Sequence, residues 1–290
     1  MHINMKYYIV SIGAIFLALG IGILVGFNLN NNEEISKQQA NIIKQLDEEF
    51  NDIKEENSNL KKELNGTDKK YNALISYVNK NADSLMTGSL TDKNVAVIST
   101  YEKSENVNTL KNIINEYGGS LAFDLTFNKE ITDEKIIKEA AKKTGEKFES
   151  TADIVNYTFD MIKRGNNESL NILKDLKIIN INSENGEIAN FSSAIILAPS
   201  ESSNPNEKFN KLDKFVVSKL KSQNKYIVEA QTTKSKTSYV EQYAKNKVAT
   251  VDNIDEKTGT LSLVSLVQDE NLVGNFGRLD TASSLIPMEK

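Results

Sequence analysis

The sequence contains no cysteine and a single histidine, His2. Without cysteine, the chain can form no disulfide, no thiolate metal site and no cysteine nucleophile. His2 precedes a long apolar segment, so no histidine is available in the remaining, much larger part of the chain. A Ser/His/Asp triad and a histidine-based metal site are therefore excluded from that part.

Charge is absent from residues 7–29, YYIVSIGAIFLALGIGILVGFNL. A helix of about 20 apolar residues is about 30 Å long, which matches the hydrocarbon core of a bilayer. The alternative is a secretory signal cleaved after ALG at Gly20, but such a signal has a shorter apolar centre, and this run continues to Phe27. The sequence predicts an uncleaved single-pass anchor over residues 7–29, in contact with the lipid bilayer.

The charges that flank the anchor predict its orientation. Lys6 precedes it, and the first charged residues after it are Glu33 and Glu34, so residues 1–6 are expected in the cytoplasm and the rest outside the cell membrane. The chain has 35 basic and 40 acidic residues. Because Lys6 is the only one of these before residue 30, the remainder carries a formal charge of −6. Such a surface repels nucleic acid, and we expect no nucleic-acid partner.

Small residues recur every fourth position within the anchor, at Ala14, Ala18, Gly22 and Gly26. They share one face of a helix, and a face of small residues lets two membrane helices approach closely. Membrane helices are rich in alanine and glycine in any case, so the stripe alone is a weak indication of dimerisation.

Residues 30–90 are predicted to form a coiled-coil stalk, and from Phe50 to Leu85 they follow strict alternating steps of three and four residues, after a stutter between Leu46 and Phe50. The heptad seam comprises Phe50, Ile53, Asn57, Leu60, Leu64, Thr67, Tyr71, Leu74, Val78, Asn81 and Leu85. A lone helix would leave this seam in water, so we expect a homodimeric stalk held by Phe50, Ile53, Asn57, Leu60 and Leu64. A different partner chain is the alternative.

Two residues of the stalk have specific consequences. Asn57 occupies an a position, where a buried asparagine favours two strands in one register. Gly66 costs about 1 kcal/mol in a helix interior, and we expect a break of the helix near it.

The sequence pattern of residues 91–290 predicts one α/β domain, and this length is sufficient for a hydrophobic core of its own. Apolar strand patterns alternate with helical ones, which is typical of a Rossmann-like or flavodoxin-like, doubly wound and mostly parallel sheet of order 2-1-3-4-5. The predicted strands are KNVAVIST (93–100), LAFDLTF (121–127), SSAIILAPS (192–200), KYIVEA (225–230) and VATVDNI (248–254).

Ligands of such sheets bind at the carboxyl ends of the strands. That rule selects Ser99, Thr100, Ser200, Asp252 and Asn253 as candidate ligand-binding residues. The first strand is followed by STYEKSEN, without the glycines of a phosphate-binding loop. Asp124, Glu229 and Asp252 allow a carboxylate pair or a hard-cation site, although acids at strand ends are more often caps. We expect no catalytic residues, no metal site and no enzymatic activity.

Three stretches resemble one family. KYYIVSIGAIFLALGIGILVG at the start, and VATVDNIDEKTGTLSLVSLV and GNFGRLDTASSLIP at the end, are similar to the bacterial MctB-type family, usually labelled copper transporters; NVAVIST stands where that family has its first strand. The resemblance covers essentially the whole chain. It implies an anchor, a coiled coil and one α/β domain, with a role in limiting copper accumulation; for some relatives it implies envelope assembly and cell separation through a membrane partner.

The sequence contains few side chains of the kinds that bind copper. Cu(I) prefers thiolate or thioether ligands and Cu(II) prefers imidazole, yet in the part of the chain after the anchor only Met86, Met161 and Met288 qualify. Copper is therefore expected through the resemblance alone, and no cofactor is expected from the residues. The sequence favours a dimeric, non-enzymatic binding or scaffold protein of the cell envelope. One alternative is a domain that binds a small ligand or acts on the cell wall; another is a subunit of an envelope-assembly or cell-division complex, with an envelope or membrane protein as partner.

Overall fold

The computed structural model describes residues 5–183 and 189–287, and of residues 29–33 the backbone alone. The chain divides into two compact units, residues 1–73 and 74–290. All described residues of the first unit belong to a single helix, and the second unit is a mixed α/β structure.

Helix α1 extends from Met5 to Met86. Its segment Met5–Asn28 is long and apolar enough to cross a membrane, by length and composition. Its side chains are exposed in the single chain, including Phe16 at 70% and Leu24 at 70%. Large apolar side chains that the chain itself does not cover are what a lipid-facing segment requires.

The expected break at Gly66 is wrong, because helix α1 is continuous through it. The cost of one helical glycine is only about 1 kcal/mol. Its neighbours in KKELNGTDKK include several strong helix formers, whose hydrogen bonds on both sides keep the glycine helical.

The second unit contains a seven-stranded sheet of order β3-β2-β1-β4-β5-β6-β7. Its strands are β1 (Asn94–Tyr101), β2 (Ser120–Asn128), β3 (Ile179–Asn182), β4 (Ser193–Leu197), β5 (Tyr226–Ala230), β6 (Ala249–Val251) and β7 (Asn275–Phe276). All neighbouring pairs are parallel except β2 with β3. The five predicted strands are therefore present, in the predicted order.

Helices connect the strands as the alternating pattern predicted. They are α2 (Val107–Glu116), α3 (Glu134–Thr144), α4 (Thr151–Arg164), α5 (Asn167–Asp175), α6 (Pro205–Lys208), α7 (Lys214–Ser222), α8 (Val240–Lys245) and α9 (Lys257–Gln268). A 3₁₀ turn covers Lys129–Thr132, and a π-helical turn, Phe209–Asp213, joins α6 to α7.

Two hydrophobic cores lie on the two faces of this sheet. Successive residues of β1 alternate between them: Ala96 and Ile98 belong to the core that includes α4 and α7, and Val95 and Val97 to the core that includes α2 and α9. Strands covered on both faces are apolar almost throughout, which is why β1 and β4 were recognisable in the sequence.

Both edge strands were missed. β3 is antiparallel to β2 and has only four residues, and β7 has two. β3 alternates buried and exposed positions, but a pattern of four residues cannot be distinguished from a loop in the sequence. Whether such a segment forms a strand, and in which register it pairs, depends on a neighbouring strand that is distant in sequence.

The last turns of helix α1 pack into the second unit. Ala82 and Met86 are buried there, and Asp83 Oδ1 accepts hydrogen bonds from Lys257 Nζ at 2.6 Å and from the Tyr117 hydroxyl at 2.9 Å. These bonds lower the pKa of Asp83, while burial and the bond to Asp83 raise the pKa of Tyr117 to about 12. The end of α1 is thus bonded to residues at the end of α2 and at the start of α9.

Replacement of Gly66 by alanine should stabilise helix α1 locally. Nothing lies within 4 Å of a Cβ atom placed at this position, and alanine gains about 1 kcal/mol over glycine in a helix. Amide hydrogen exchange of residues 60–72 should slow roughly fivefold. Gly145→Ala is the contrasting variant: its φ of +76° is left-handed, so that substitution should destabilise. Unchanged exchange in Gly66→Ala would mean that the glycine does not limit local helix stability.

Candidate functional site

A crevice of about 200 Å³ opens at the carboxyl ends of β1, β4 and β5. The strand order reverses between β1 and β4, the point where ligands of open α/β sheets are usually bound. The crevice is lined by Glu102, Lys103, Ser104, Glu105, Asn106, Leu197, Ala198, Pro199, Ser200, Ala230, Gln231 and Ser235. Its wall combines both charge signs with neutral polar groups, as a small polar molecule would require.

Two of the five candidate ligand-binding residues, Ser200 and Ser99, lie in the crevice wall or bond to it. Ser200 lines it. Ser99 is buried, and its hydroxyl accepts a hydrogen bond of 3.3 Å from the Ser104 amide. Thr100 is also buried, with no hydrogen-bond partner for its hydroxyl among the described residues. Ser200 is therefore the one predicted residue whose side chain position suits direct contact with a ligand.

The loop after β5 is tied down beside the crevice. The amides of Lys236 and Thr237 donate to the Ser200 carbonyl at 3.0 and 3.1 Å, and the Ser202 amide donates to the Thr237 hydroxyl at 2.9 Å. Gln231 is likewise engaged, since its side chain accepts from the Tyr239 amide and donates to the Ser238 hydroxyl. These bonds hold two walls of the crevice in place.

Asp252 does not line the crevice and serves a structural purpose. Its carboxylate accepts hydrogen bonds from the amides of Arg278 at 2.7 Å and Leu279 at 2.9 Å. Gly277 has φ of +134° and lies so close that any Cβ there would overlap the Asp252 carboxylate. Asp252 therefore fixes the loop after β7.

Asn253 is fully buried and shapes the start of helix α9. Its Nδ2 donates to Thr258 Oγ1 and Glu256 Oε2, both at 3.0 Å, and its carbonyl accepts from the Glu256 amide at 2.9 Å. A side chain at Gly259 would collide with the Asn253 backbone. Asn253 Oδ1 is buried without a partner among the described residues. Hydrogen bonds within the chain therefore account for most, but not all, of the polar side-chain atoms of Asp252 and Asn253 in VDNID, a carrier of the family resemblance.

A cluster of buried oxygen atoms lies on the α7 side of the sheet, near the carboxyl ends of the strands. Both carboxylate oxygens of Asp213 and of Glu229, and the hydroxyls of Thr100, Tyr239 and Tyr243, have no hydrogen bond of good geometry in the described chain, although the Thr100 hydroxyl lies near enough to Asp213 to interact with it. All five side chains belong to residues that are 1% exposed or less. Buried polar groups without partners are rare and mark places where a fold is under constraint.

Burial changes the protonation of both acids. It raises the pKa of Asp213 to about 7, although the nearby Thr100 hydroxyl and the Lys208 charge act in the opposite direction. Burial, assisted by the charges of Asp213 and Asp252, raises the pKa of Glu229 well above its ordinary value. Both groups are most easily accommodated as neutral acids, because an unpaired buried carboxylate is costly.

Sequence reasoning considered Glu229 but missed Asp213. The signal is the spacing of Asp213 within FNKLDKFVV: it stands four residues after Phe209 and four before Val217, both buried. An acidic residue at a position that belongs to the apolar face of a helix indicates a buried carboxyl group. Asp124, the third acid considered, instead accepts a hydrogen bond from Asn182 on β3.

The candidate dimerisation residues lie on the exposed surface of helix α1. In the seam, Phe50 is 67% exposed, Ile53 56%, Leu60 55% and Leu64 61%, and Asn57 donates to the Ile53 carbonyl of its own helix at 3.1 Å. Ala14, Ala18, Gly22 and Gly26 are exposed as well, and a Cβ at either glycine would meet nothing within 4 Å.

The described residues offer no evident copper ligand set. Met86 and Met161 are buried in different cores, on opposite faces of the sheet. Over residues 5–183 and 189–287, no group of three or more histidine, cysteine, aspartate or glutamate residues could hold a metal ion. Soft copper ions prefer thiolate, thioether or imidazole donors, so a copper cargo does not fit the arrangement.

Asp213→Asn should remove a pH dependence of stability. The folded pKa of about 7 exceeds the ordinary value of 3.8, so the folded state holds a proton that the unfolded state has lost. Stability therefore falls as pH rises from about 4 to about 7. Urea unfolding of the full chain in detergent should show the variant gaining on the wild type over this range.

The exposed Asp175→Asn is the matched control and should follow the wild type. Parallel pH profiles of Asp213→Asn and the wild type would show that Asp213 is ionised or paired in the folded protein.

Comparison with known proteins agrees with the resemblance seen in the sequence. A search of the curated proteins gives no match. The sequence model of one family, described as "Copper transport outer membrane protein, MctB", matches residues 2–287. Because this match covers nearly the whole chain, the protein belongs to the MctB family of copper transport outer membrane proteins.

Proposed function

We propose that this MctB-family protein is a membrane-anchored, non-enzymatic scaffold that works as a homodimer and contributes to copper homeostasis through a protein partner. The observation that carries the proposal is helix α1. It presents a membrane-length apolar segment and, further along, an apolar seam that the described chain does not cover.

The anchor and its orientation follow from charge and apolar length. Met5–Asn28 is apolar enough to span, with Lys6 near one end and Glu34 beyond the other. The positive-inside rule then favours a cytoplasmic N-terminus and an extracytoplasmic α/β domain in a single-pass protein of the cell membrane.

The stalk is proposed as a coiled coil and the domain as a flavodoxin-like, doubly wound unit. Burial of seam residues against a second helix would contribute about 25 cal/mol per Å² of apolar surface. The strand-end acids of the domain are buried, and the crevice lacks a nucleophile paired with a base. These features favour a domain that binds a partner over one that performs a reaction.

A second candidate is the binding of a small polar ligand in the crevice, for example a fragment of cell-wall material. The shape of the crevice and its place at the reversal of strand order favour it. This function is compatible with the scaffold role.

Direct copper binding should be absent. Equilibrium dialysis of the full chain in detergent against Cu(I) and Cu(II) should leave far less than one tightly held ion per dimer, because Met86 and Met161 are buried in separate cores. A histidine-tag-free preparation is essential, and added zinc serves as a control for non-specific uptake. Tight, stoichiometric copper would instead show a site shared between subunits.

The seam should control the oligomeric state. Leu60→Asn combined with Leu64→Asn should shift the full chain in detergent from dimer towards monomer in sedimentation equilibrium, because two apolar seam contacts are lost. Lys62→Asn combined with Lys69→Asn, on the outer face, is the matched control. A wild-type chain that is already monomeric would contradict the homodimer and favour a different partner chain in an envelope-assembly complex.

A further inference from the structure

Charged residues flank the seam of helix α1 in a regular arrangement. With Phe50, Asn57 and Leu64 at a positions and Ile53 and Leu60 at d positions, the residue before each a is a g position and the residue after each d is an e position. The g positions hold Glu49, Glu56 and Glu63, and the e positions hold Lys54, Lys61 and Asp68. Glutamate therefore lines one side of the seam, and lysine lines the other side as far as Lys61.

We propose that the stalk pairs with a second copy of this chain in parallel and in register, with the orientation selected by Glu49 and Glu56 against the partner's Lys54 and Lys61. The proposal rests on the homodimer proposed above, and it specifies how the two chains are aligned.

The geometry of coiled coils discriminates between the two orientations. In a parallel pair, each g residue faces the e residue of the following heptad on the other helix, so Glu49 faces the partner's Lys54 and Glu56 faces the partner's Lys61. In an antiparallel pair, g residues face g residues and e residues face e residues, which would oppose glutamate to glutamate and lysine to lysine. Only the parallel pair brings opposite charges together.

The two glutamates and two lysines of this proposal do not form ion pairs within the described part of their own helix. Oppositely charged residues stabilise a helix when they are three or four positions apart, and Lys44 and Glu48 form such a pair. Glu49, Lys54, Glu56 and Lys61 have no oppositely charged residue at those distances in the sequence. In the described part of the chain no ion pair involves any of the four.

Self-complementarity distinguishes a second copy from a foreign helix. Each chain supplies both the glutamate row and the lysine row, so a symmetric pair satisfies both sides of the seam at once. Asn57 adds to this, because an asparagine at an a position is best matched by the same asparagine in register. A heteromeric partner would not require the pattern to match itself.

The complementarity of the g and e charges ends after Lys61. In the parallel pair Glu63 faces the partner's Asp68, which is a repulsive contact, and Gly66 lies between these two positions. The charge pattern therefore favours pairing over residues 49–61 and opposes it just beyond.

Disulfide cross-linking tests the alignment directly, because the chain contains no cysteine. Ile53→Cys and Leu60→Cys, made separately in the full chain and oxidised in membranes, should each give a covalent dimer on a non-reducing gel. Ser58→Cys, which faces away from the seam, is the matched control and should stay monomeric. An antiparallel pair can place at most one position against its own copy, so it cannot cross-link both seam variants.

Charge reversal at Asp68 provides an independent test of the parallel register. Asp68→Lys replaces two repulsive contacts per dimer by attractive ones and should tighten the dimer roughly fivefold in detergent. Glu55→Lys makes the same charge change on the outer face and should have little effect.

The outcomes separate the two proposals. A dimer by sedimentation in which only one or neither seam cysteine cross-links, or one that Asp68→Lys weakens, overturns the parallel register and leaves the homodimer intact. A wild-type chain that is monomeric and never cross-links overturns the homodimer itself.

Discussion

Apolar side chains that the chain cannot cover by itself constrain the rest of this protein. Over Met5–Asn28 and along the seam, helix α1 exposes large apolar residues, and each Å² of apolar surface left in water costs about 25 cal/mol. Contact with lipid, or with another helix, would remove this cost. A single continuous helix carries both the membrane-length apolar segment and the exposed seam.

The α/β unit uses its strand ends mostly for its own structure. In open sheets these ends commonly carry ligand-binding groups, yet here Asp252 and Asn253 bond to the loop after β7 and to the start of α9. The acids Asp213 and Glu229, whose pKa values burial raises, lie below the surface. A small polar crevice stays open at the ends of β1, β4 and β5, beside the loop that follows β5.

Much of the fold was predictable because its signals are local. Three signals can be read from residues that are close in sequence. They are the uncharged run at residues 7–29, the heptad steps from Phe50, and the apolar runs of strands β1 and β4, which are buried on both faces. Other features depend on balances of free energy or on contacts distant in sequence. These are the continuity of α1 through Gly66, the short edge strands β3 and β7, and the burial of Asp213 near Glu229. The five candidate ligand-binding residues were chosen by their position at strand ends, and that rule cannot distinguish Ser200, which lines the crevice, from Asp252, which the loop after β7 engages.

The bonds of Asp252 have a consequence for how the domain is made. Its donors are the amides of Arg278 and Leu279, and the neighbouring edge strand β7 is Asn275–Phe276. Until residues 275–279 have been synthesised, β6 stays an open edge and the carboxylate of Asp252 lacks these two donors. A chain truncated before Asn275 would therefore expose an unpaired strand edge, which is a physical feature that quality-control proteases can recognise.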